Sequence, residues 1–232
     1  MNHGPATSGS PMTDRLLAFD TGTTTAVVAV GDGLGRLLAS DAWIAGYRHG
    51  EELLSRVDRA LASAGVGLAD LGGVIVGTGP GAFTGLRVGL STAKGLAHGL
   101  GIALAGVPTG AALQAAARVA GPVAILLPAG PSDRVLVDPV GVATLLRAGT
   151  EPTVEPGWTL VALDLDGRAP ADALARGTRA REGLAAALLA IGAERLRAGQ
   201  PSDLAALVPE YVTLPRGVGA ETGKVAWSRD RG

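Results

Sequence analysis

Cysteine is absent from the 232-residue sequence, and histidine occurs only three times. The lack of cysteine excludes disulfide bonds, thiolate nucleophiles and thiolate metal ligands, and it is consistent with a cytoplasmic protein. The histidines, His3, His49 and His98, are scattered, and none has a second histidine at the spacing of helical metal ligands. The sequence therefore predicts no metal site.

An excess of charge of one sign is also lacking. The chain has 20 basic and 21 acidic residues and a formal net charge of −1, which gives no overall attraction to nucleic acid or to an anionic membrane. The first dozen residues lack the features of a signal peptide, and we expect residues 1–13 and 216–232 to be disordered. The uncharged run from Gly95 to Ala117 is long enough for a membrane helix, but its five glycines and Pro108 argue against one.

The most informative stretch runs from Val74 to Leu100. Val74–Val76 is β-branched and apolar, which predicts a buried strand. Three alternating glycines follow, and then a helical pattern from Gly85 to about Leu100 with Thr84 as its N-cap. Strand, glycine loop and helix form a geometry that can aim backbone N–H groups at an anion. A tight turn that binds nothing is the alternative.

The helix of this stretch is apolar around most of its circumference. Such a helix is covered on more than one side, so we expect one side to pack on its own sheet and another on a partner chain. We expect helix His49–Ala64 to share that interface. The candidate interface residues are Leu53, Val57, Leu61, Leu86, Gly89, Leu90, Ala93 and Ala97.

The remaining pattern predicts an α/β layer fold with a mixed sheet, in an N-terminal subdomain over residues 14–107 and a reduced C-terminal subdomain over residues 108–215. Further strands are expected at Leu16–Phe19, Ala26–Val30, Leu37–Trp43, Ile102–Val107, Val123–Leu127, Arg134–Val137 and Thr159–Leu163. Further helices are expected at Thr109–Ala120, Val142–Ala148 and Arg179–Arg197.

Asp20 follows the first strand and precedes a turn of small hydroxyl residues. An aspartate there can hold a metal-bound water beside a phosphate gripped by turn amides, or it can simply bond its own turn. The candidate phosphate loop comprises Asp20, Thr21, Gly22, Thr23, Gly79 and Gly81.

Standard catalytic motifs are not satisfied. The Walker A and dinucleotide-binding patterns both fail. Ser91 and Lys94 match the serine–lysine spacing of penicillin-binding enzymes, but the companion motifs are absent. Asp164–Gly167 looks like a turn. We therefore predict no catalytic residue.

Three stretches resemble the TsaB (YeaZ) family, bacterial subunits of tRNA threonylcarbamoyladenosine biosynthesis that are often labelled glycoprotease or M22-peptidase homologues. They are Leu17–Thr21, His49–Leu54 and Gly79–Gly89, of which the last begins with Gly-Pro-Gly-x-Phe-Thr-Gly-x-Arg. The similarity runs from about Leu16 to Ala117. The second half matches mainly through Pro209–Tyr211.

The resemblance implies the actin/Hsp70-like ATPase (ribonuclease H-like) fold, with two related α/β halves of which the second is reduced. It also implies a non-catalytic subunit that dimerises with a catalytic paralogue, TsaD, in an assembly that a small ATPase, TsaE, joins. Alone, such a chain is expected to form a homodimer, to contact tRNA only indirectly, and to need no cofactor, with weak ATP or ADP binding as the alternative.

One motif of the catalytic paralogue is missing. TsaD-like proteins carry a His-x-x-x-His metal pair, whereas the matching stretch here, Val107–Leu113, contains no histidine. We therefore expect transfer chemistry to be missing as well. The turn Pro128–Arg134 also departs from the Asp-Ala-Arg-like stretch of many TsaB-like proteins.

Two rival functions stay open. One is a nucleotide-binding enzyme of the actin-like class, such as a small-molecule kinase, which would use the candidate phosphate loop. The other is a peptidase, which only the historical family label suggests and for which the sequence supplies neither metal ligands nor a credible nucleophile.

Overall fold

A computed structural model describes residues 15–45 and 49–212, and the segments 1–13 and 216–232 that were expected to be disordered lie outside these residues. The described chain is an α/β structure with two sheets and four α-helices. The strands are β1 Arg15–Asp20, β2 Thr25–Asp32, β3 Leu37–Ile44, β4 Leu71–Gly77, β5 Ala103–Val107, β6 Val123–Ala129, β7 Asp133–Val137, β8 Ala143–Leu146 and β9 Thr159–Ala162. The helices are α1 His49–Ala64, α2 Phe83–Leu100, α3 Thr109–Ala116 and α4 Ala171–Arg197, and a short 3-10 helix spans Leu68–Asp70.

The first sheet is mixed and five-stranded, as predicted, with the order β3-β2-β1-β4-β5. Strand β1 pairs antiparallel with β2 and parallel with β4, so that Phe19 lies opposite Val28 on one side and Val76 on the other. Strand β5 continues the parallel part beside β4. The carboxyl ends of β1, β4 and β5 therefore meet at one edge of the sheet.

The second sheet repeats the first in reduced form. Its order, β8-β7-β6-β9, has the same pairing directions as β3-β2-β1-β4, with β6 antiparallel to β7 and parallel to β9. No counterpart of β5 extends this sheet, and no helix lies between β8 and β9 in the described chain. The prediction of two related halves, the second reduced, is confirmed.

Alternation along β1 divides the core into two layers, because successive side chains of a strand point to opposite faces. Leu17 and Phe19 are fully buried in the cluster that contains the apolar sides of α1 and α2. Leu16 and Ala18 belong to the opposite cluster, which α3, α4 and one face of the second sheet complete. The first sheet is thus covered on both faces.

Helix α4 connects the two halves. Gly177 lies against the backbone carbonyl of Ala162 in β9, and Gly192 lies against the side chain of Ile75 in β4. The lack of a Cβ atom at both positions lets one helix approach the equivalent strands of both sheets closely.

The predicted start of helix α2 and the predicted end of helix α3 are wrong. Helix α2 begins at Phe83 with Ala82 as its flanking residue and no side-chain cap, so Thr84 is not the N-cap. Helix α3 ends at Ala116 rather than at residue 120, because Arg118 adopts a positive φ of 51° that cannot continue a right-handed helix.

Helix α4 begins at Ala171, well before the predicted start at Arg179. Its first two turns bury Ala173 and Gly177, which are small residues. Small buried residues give a weak hydrophobic period, and the pattern therefore misses this part of the helix.

Residues Val142–Ala148, which were predicted as a short helix, contain strand β8 instead. Asp138 shapes the hairpin that precedes it, since Oδ1 accepts hydrogen bonds from the N–H groups of Val140 and Val142 at 3.0 and 2.8 Å. Periodicity cannot distinguish a strand from a helix in so short an apolar run, and pairing with β7 decides the outcome.

The eight residues predicted at a partner interface are all buried within the chain, so they are not part of its exposed surface. Six lie in the cluster between α1, α2 and the first sheet, and Leu86 and Gly89 pack against the turn between β1 and β2. Leu204 and Leu207 of the same chain also pack against this cluster. These eight are Leu53, Val57, Leu61, Leu86, Gly89, Leu90, Ala93 and Ala97.

Candidate functional site

A cleft of about 650 Å³ lies between the two halves. The first half contributes the β1–β2 turn at Gly22–Thr24 and the glycine loop at Pro80–Phe83, and the second half contributes Leu127–Pro131. Ligands of open α/β sheets bind in the crevice outside the carboxyl ends of the strands, which is where these segments meet. This cleft is the candidate functional site.

Asp20, at the end of β1, is completely buried and bonded inside the chain. Its Oδ1 accepts a hydrogen bond from the N–H of Gly22 at 2.7 Å, and its Oδ2 accepts one from the Thr109 hydroxyl at 2.6 Å. Burial raises the pKa of Asp20, and these two hydrogen bonds oppose that shift. The structure shows the alternative in which Asp20 bonds its own turn, and both of its carboxylate oxygens accept hydrogen bonds from within the protein.

The glycine loop packs on the β1–β2 turn instead of leaving a cradle between them. The N–H of Ala82 donates to the carbonyl of Gly22 at 2.7 Å, and the N–H of Gly79 donates to the Thr109 hydroxyl at 3.0 Å. A Cβ atom at Gly81 would lie 2.8 Å from the Cα of Gly22, so glycine is needed for this approach. The amides of Gly79 and Ala82 are therefore committed within the protein.

The residues of the candidate phosphate loop fall into two groups of three in the structure. Gly22, Thr23 and Gly81 line the cleft. Asp20, Thr21 and Gly79 lie behind this surface, and the Thr21 hydroxyl donates to the carbonyl of Gly85 in α2 at 2.7 Å. These three residues support the two loops and do not face a ligand.

Asp164 reaches across the cleft, although its sequence context indicates only a turn. Its Oδ2 accepts a hydrogen bond from the N–H of Thr24 at 2.8 Å, and its Oδ1 pairs with Nη2 of Arg181 at 2.6 Å. The backbone of Asp164 has a positive φ of 56°, which aspartate tolerates better than most residues. The contact between Thr24 and Asp164 joins positions 140 residues apart, and local sequence cannot reveal it.

Residues 198–212, called here the C-terminal strap, return from α4 to the first half. The N–H of Ser202 donates to the carbonyl of Leu104 at 2.7 Å, beside the outer strand β5. Further along, Glu210 is tied to Thr78 twice: its N–H donates to the Thr78 carbonyl at 2.8 Å, and its Oε1 accepts from the Thr78 hydroxyl at 2.8 Å. Burial raises the pKa of Glu210, and the hydrogen bond from Thr78 opposes that shift.

The end of the strap forms one wall of the cleft. The ring of Tyr211 lies 5.0 Å from the ring of Phe83, and the Tyr211 hydroxyl accepts a hydrogen bond from Nε of Arg87 at 2.9 Å. The guanidinium of Arg87 lies 3.8 Å from the centre of the Phe83 ring. Pro209–Tyr211 was noticed only as a family signature, and this contact gives the signature a physical role.

The stretch Val107–Leu113 forms the end of β5 and the start of α3. Thr109 and Leu113, which are one helical turn apart, are both fully buried. Within residues 15–45 and 49–212, no three His, Cys, Asp or Glu side chains come together in a way that could hold a metal ion. Over the same residues, no helix is both long and apolar enough to span a bilayer.

Comparison with known protein families shows which family the chain belongs to. The family described as TsaD: tRNA N6-adenosine threonylcarbamoyltransferase matches residues 43–179, which is more than half of the sequence. The chain belongs to this family.

Among solved structures, YeaZ from Pseudomonas aeruginosa superposes with a TM-score of 0.68 and 26% identity over 86% of this chain and 100% of that chain. The resemblance to the TsaB (YeaZ) family is confirmed. The chain has the actin/Hsp70-like ATPase fold, as its repeated sheet order also indicates.

Sequence relatives match over shorter segments. A Mycobacterium leprae protein described as uncharacterized is 43% identical over 95 residues, which are 40% of this chain and 26% of that protein. A tRNA N6-adenosine threonylcarbamoyltransferase from Cereibacter sphaeroides (strain ATCC 17025) is 50% identical over 64 residues, or 28% of this chain and 18% of that protein. The matched segment thus spans less than a third of the curated relatives.

Proposed function

We propose that this chain is a non-catalytic subunit of tRNA threonylcarbamoyladenosine synthesis that dimerises with a TsaD-like catalytic paralogue. The observation that carries the proposal is the match to the whole length of Pseudomonas aeruginosa YeaZ. In this proposal the protein is cytoplasmic, forms a homodimer when alone, works in an assembly with a TsaE-like ATPase, contacts tRNA only indirectly and requires no cofactor.

The start of α3 supports a non-catalytic role. The stretch Val107–Leu113, where TsaD-like proteins are expected to carry a histidine pair, contains no histidine here and includes the buried Thr109 and Leu113. The Thr109 hydroxyl is bonded to Asp20, and Leu113 belongs to the hydrophobic core. The Thr109 side chain supplies a hydrogen bond and the Leu113 side chain supplies apolar packing. Neither side chain is a ligand that zinc or iron prefers.

The burial of the eight predicted interface residues moves the proposed partner surface to the outer side of α2. Ser91, Gly95 and Gly99 are exposed and spaced four residues apart, so they share one face of the helix. A Cβ atom at Gly95 or Gly99 would meet no other atom within 4 Å. A helix of a TsaD-like partner, or of a second copy, can approach such a face closely.

Co-purification tests this surface. Gly95→Trp places a large side chain on the outer face of α2, where the monomer has room for it, and should abolish co-purification with the TsaD-like paralogue. Ala175→Trp, an equally bulky change at an exposed position of α4, is the matched control and should leave binding intact. If the Gly95→Trp variant binds the paralogue as well as the control does, this face of α2 is not the interface.

A second candidate function is a nucleotide-binding enzyme of the same fold class, such as a small-molecule kinase. The cleft of about 650 Å³ at the carboxyl ends of the strands favours it. Calorimetry with ATP and magnesium tests the idea. Heat of binding at millimolar ligand would support it, and the absence of heat would argue against it.

A further inference from the structure

The chain places one of its own carboxylates where the turn between β1 and β2 could hold an anion. Successive backbone N–H groups in a turn form a concave site that attracts phosphate. Here the N–H of Gly22 donates to Asp20 from the same turn, and the N–H of Thr24 donates to Asp164 from the other half. Of these two donors, only that of Thr24 is bonded to a group from across the cleft.

The Asp164 carboxylate is held firmly in this position. Its side chain is 10% exposed, and Arg181 pairs with the oxygen that Thr24 does not use. A charged acceptor of this kind gives a short and strong hydrogen bond to a backbone N–H group. A phosphate oxygen that approached Thr24 would have to displace it.

The surroundings of Asp164 suit an anion better than a cation. Arg168 lines the cleft, and its guanidinium donates to the backbone carbonyls of Pro131 and Asp164 at 3.0 and 3.3 Å. Arg181 keeps a buried Nε that has no hydrogen-bond partner among the described residues. If Asp164 were removed, the Arg168 guanidinium that lines the cleft and the Arg181 guanidinium that now pairs with Asp164 would remain without the carboxylate that offsets them.

We infer that Asp164 is an internal competitor for a latent diphosphate-binding position, which consists of the Thr24 N–H and the guanidinium groups of Arg168 and Arg181. The carboxylate satisfies the turn amide and joins the two halves of the protein at the same time. Diphosphate binding and the contact between Thr24 and Asp164 therefore exclude each other. This inference goes beyond the proposed subunit role, since it concerns what the cleft of the isolated chain accepts.

Calorimetry on the full chain tests the inference, with inorganic pyrophosphate and ADP as separate probes. Asp164→Gly removes the carboxylate and tolerates the positive φ at this position. Asp164→Asn keeps an acceptor oxygen for Thr24 but loses the charge. The control is Asp166→Gly, which makes the same change at an exposed residue of the same turn.

The Asp164→Gly variant should bind pyrophosphate at least about ten-fold more tightly than the wild type, and the Asp164→Asn variant should fall between them. The Asp166→Gly variant should behave as the wild type. If ADP binds the Asp164→Gly variant as tightly as pyrophosphate does, the diphosphate is the recognised group. If ADP binds more tightly, the nucleoside also contacts the protein. The inference is overturned if the wild type and a folded Asp164→Gly variant bind pyrophosphate equally or not at all.

Thermal melting shows whether the Asp164→Gly variant folds. If it does not, the Asp164→Asn variant decides, because tighter binding than the wild type supports the inference and equal binding contradicts it. Co-purification with a TsaD-like paralogue should be unchanged in both variants, so a failure of this inference is separable from a failure of the proposed function.

Discussion

Arg87 donates a hydrogen bond through Nε to the hydroxyl of Tyr211 at 2.9 Å, across 124 positions of the chain. Arg87 ends the Gly-Pro-Gly-x-Phe-Thr-Gly-x-Arg stretch, and Tyr211 ends the Pro-Glu-Tyr stretch near the C-terminus. The two stretches that resemble the TsaB family in different halves of the sequence are therefore in contact. Their shared role in the monomer is to fasten the C-terminal strap beside the glycine loop.

The first prediction concerns this contact. Arg87→Ala should lower the free energy of unfolding by about 1 kcal/mol, because it removes an exposed hydrogen bond and a stacked guanidinium on Phe83. In a double-mutant cycle, Arg87→Ala and Tyr211→Phe should show a coupling of roughly 0.5 kcal/mol or more in urea unfolding. Arg197→Ala, at the exposed end of α4, is the control. Additive effects of the two substitutions would show that the contact does not hold the strap.

The second prediction concerns pH. Burial raises the pKa of Glu210 above its ordinary value of 4.5. The folded state therefore binds a proton more readily than the unfolded state, and this contribution to stability is present in acid and lost as the pH rises through the folded pKa. Glu210→Gln, which keeps an acceptor for the Thr78 hydroxyl, should be more stable than the wild type at neutral pH, and the difference should vanish in acid.

Urea unfolding of the wild type and the Glu210→Gln variant at a series of pH values measures this difference. A wild type that becomes more stable relative to the variant as the pH rises would contradict the direction of the shift. Glu155→Gln, at an exposed position of the second half, is a control for a change of net charge alone.

The third prediction uses two helical glycines in opposite surroundings. A Cβ atom at Gly192 would lie within 2.6 Å of Ile75, which is fully buried and has no room to move, whereas one at Gly99 would meet nothing within 4 Å. Gly192→Ala should destabilise the protein by about 1–3 kcal/mol through overpacking. Gly99→Ala should stabilise it by up to about 1 kcal/mol, since alanine favours the helix. Thermal or urea unfolding tests both, and equal effects would contradict the close packing of α4 on β4.

The fourth prediction follows from the burial of α2. Leu90→Asp should unfold the monomer, because it leaves an unpaired charge in the cluster between α2 and the first sheet. Circular dichroism and size-exclusion chromatography of the isolated chain show this directly. A folded Leu90→Asp monomer would mean that Leu90 faces outward, as the sequence had suggested.

The hydrophobic pattern of the sequence was sufficient to predict the strands of the first sheet and the helices beside it, because the strands have clear apolar runs and α1 has a strict helical period. It failed at β8, where a short apolar run is ambiguous until β7 pairs with it. It did not foresee the burial of the predicted interface residues, since the cluster that contains the apolar side of α2 is partly covered by Leu204 and Leu207 from the strap. That cover comes from a segment more than a hundred residues away, which periodicity cannot detect.

The candidate site was also predicted from the sequence only in part. The sequence located the β1–β2 turn and the glycine loop, and both border the cleft. It did not show that these loops use their amides on each other, nor that Asp164 reaches Thr24. The contact between Ala82 and Gly22 joins two distant segments of the first half, and the contact between Thr24 and Asp164 depends on the approach of the two halves.

We propose that the chain supports a threonylcarbamoyltransferase without performing the transfer itself. The most direct measurement is the amount of threonylcarbamoyladenosine formed in tRNA by this chain alone, by a purified TsaD-like paralogue alone, and by the two together with a TsaE-like ATPase and the threonylcarbamoyl adenylate donor. No product is expected from this chain alone, and substantially more product is expected from the complete mixture than from the paralogue by itself. Product formed by this chain alone, or a paralogue whose yield is unaffected by it, would refute the proposed function.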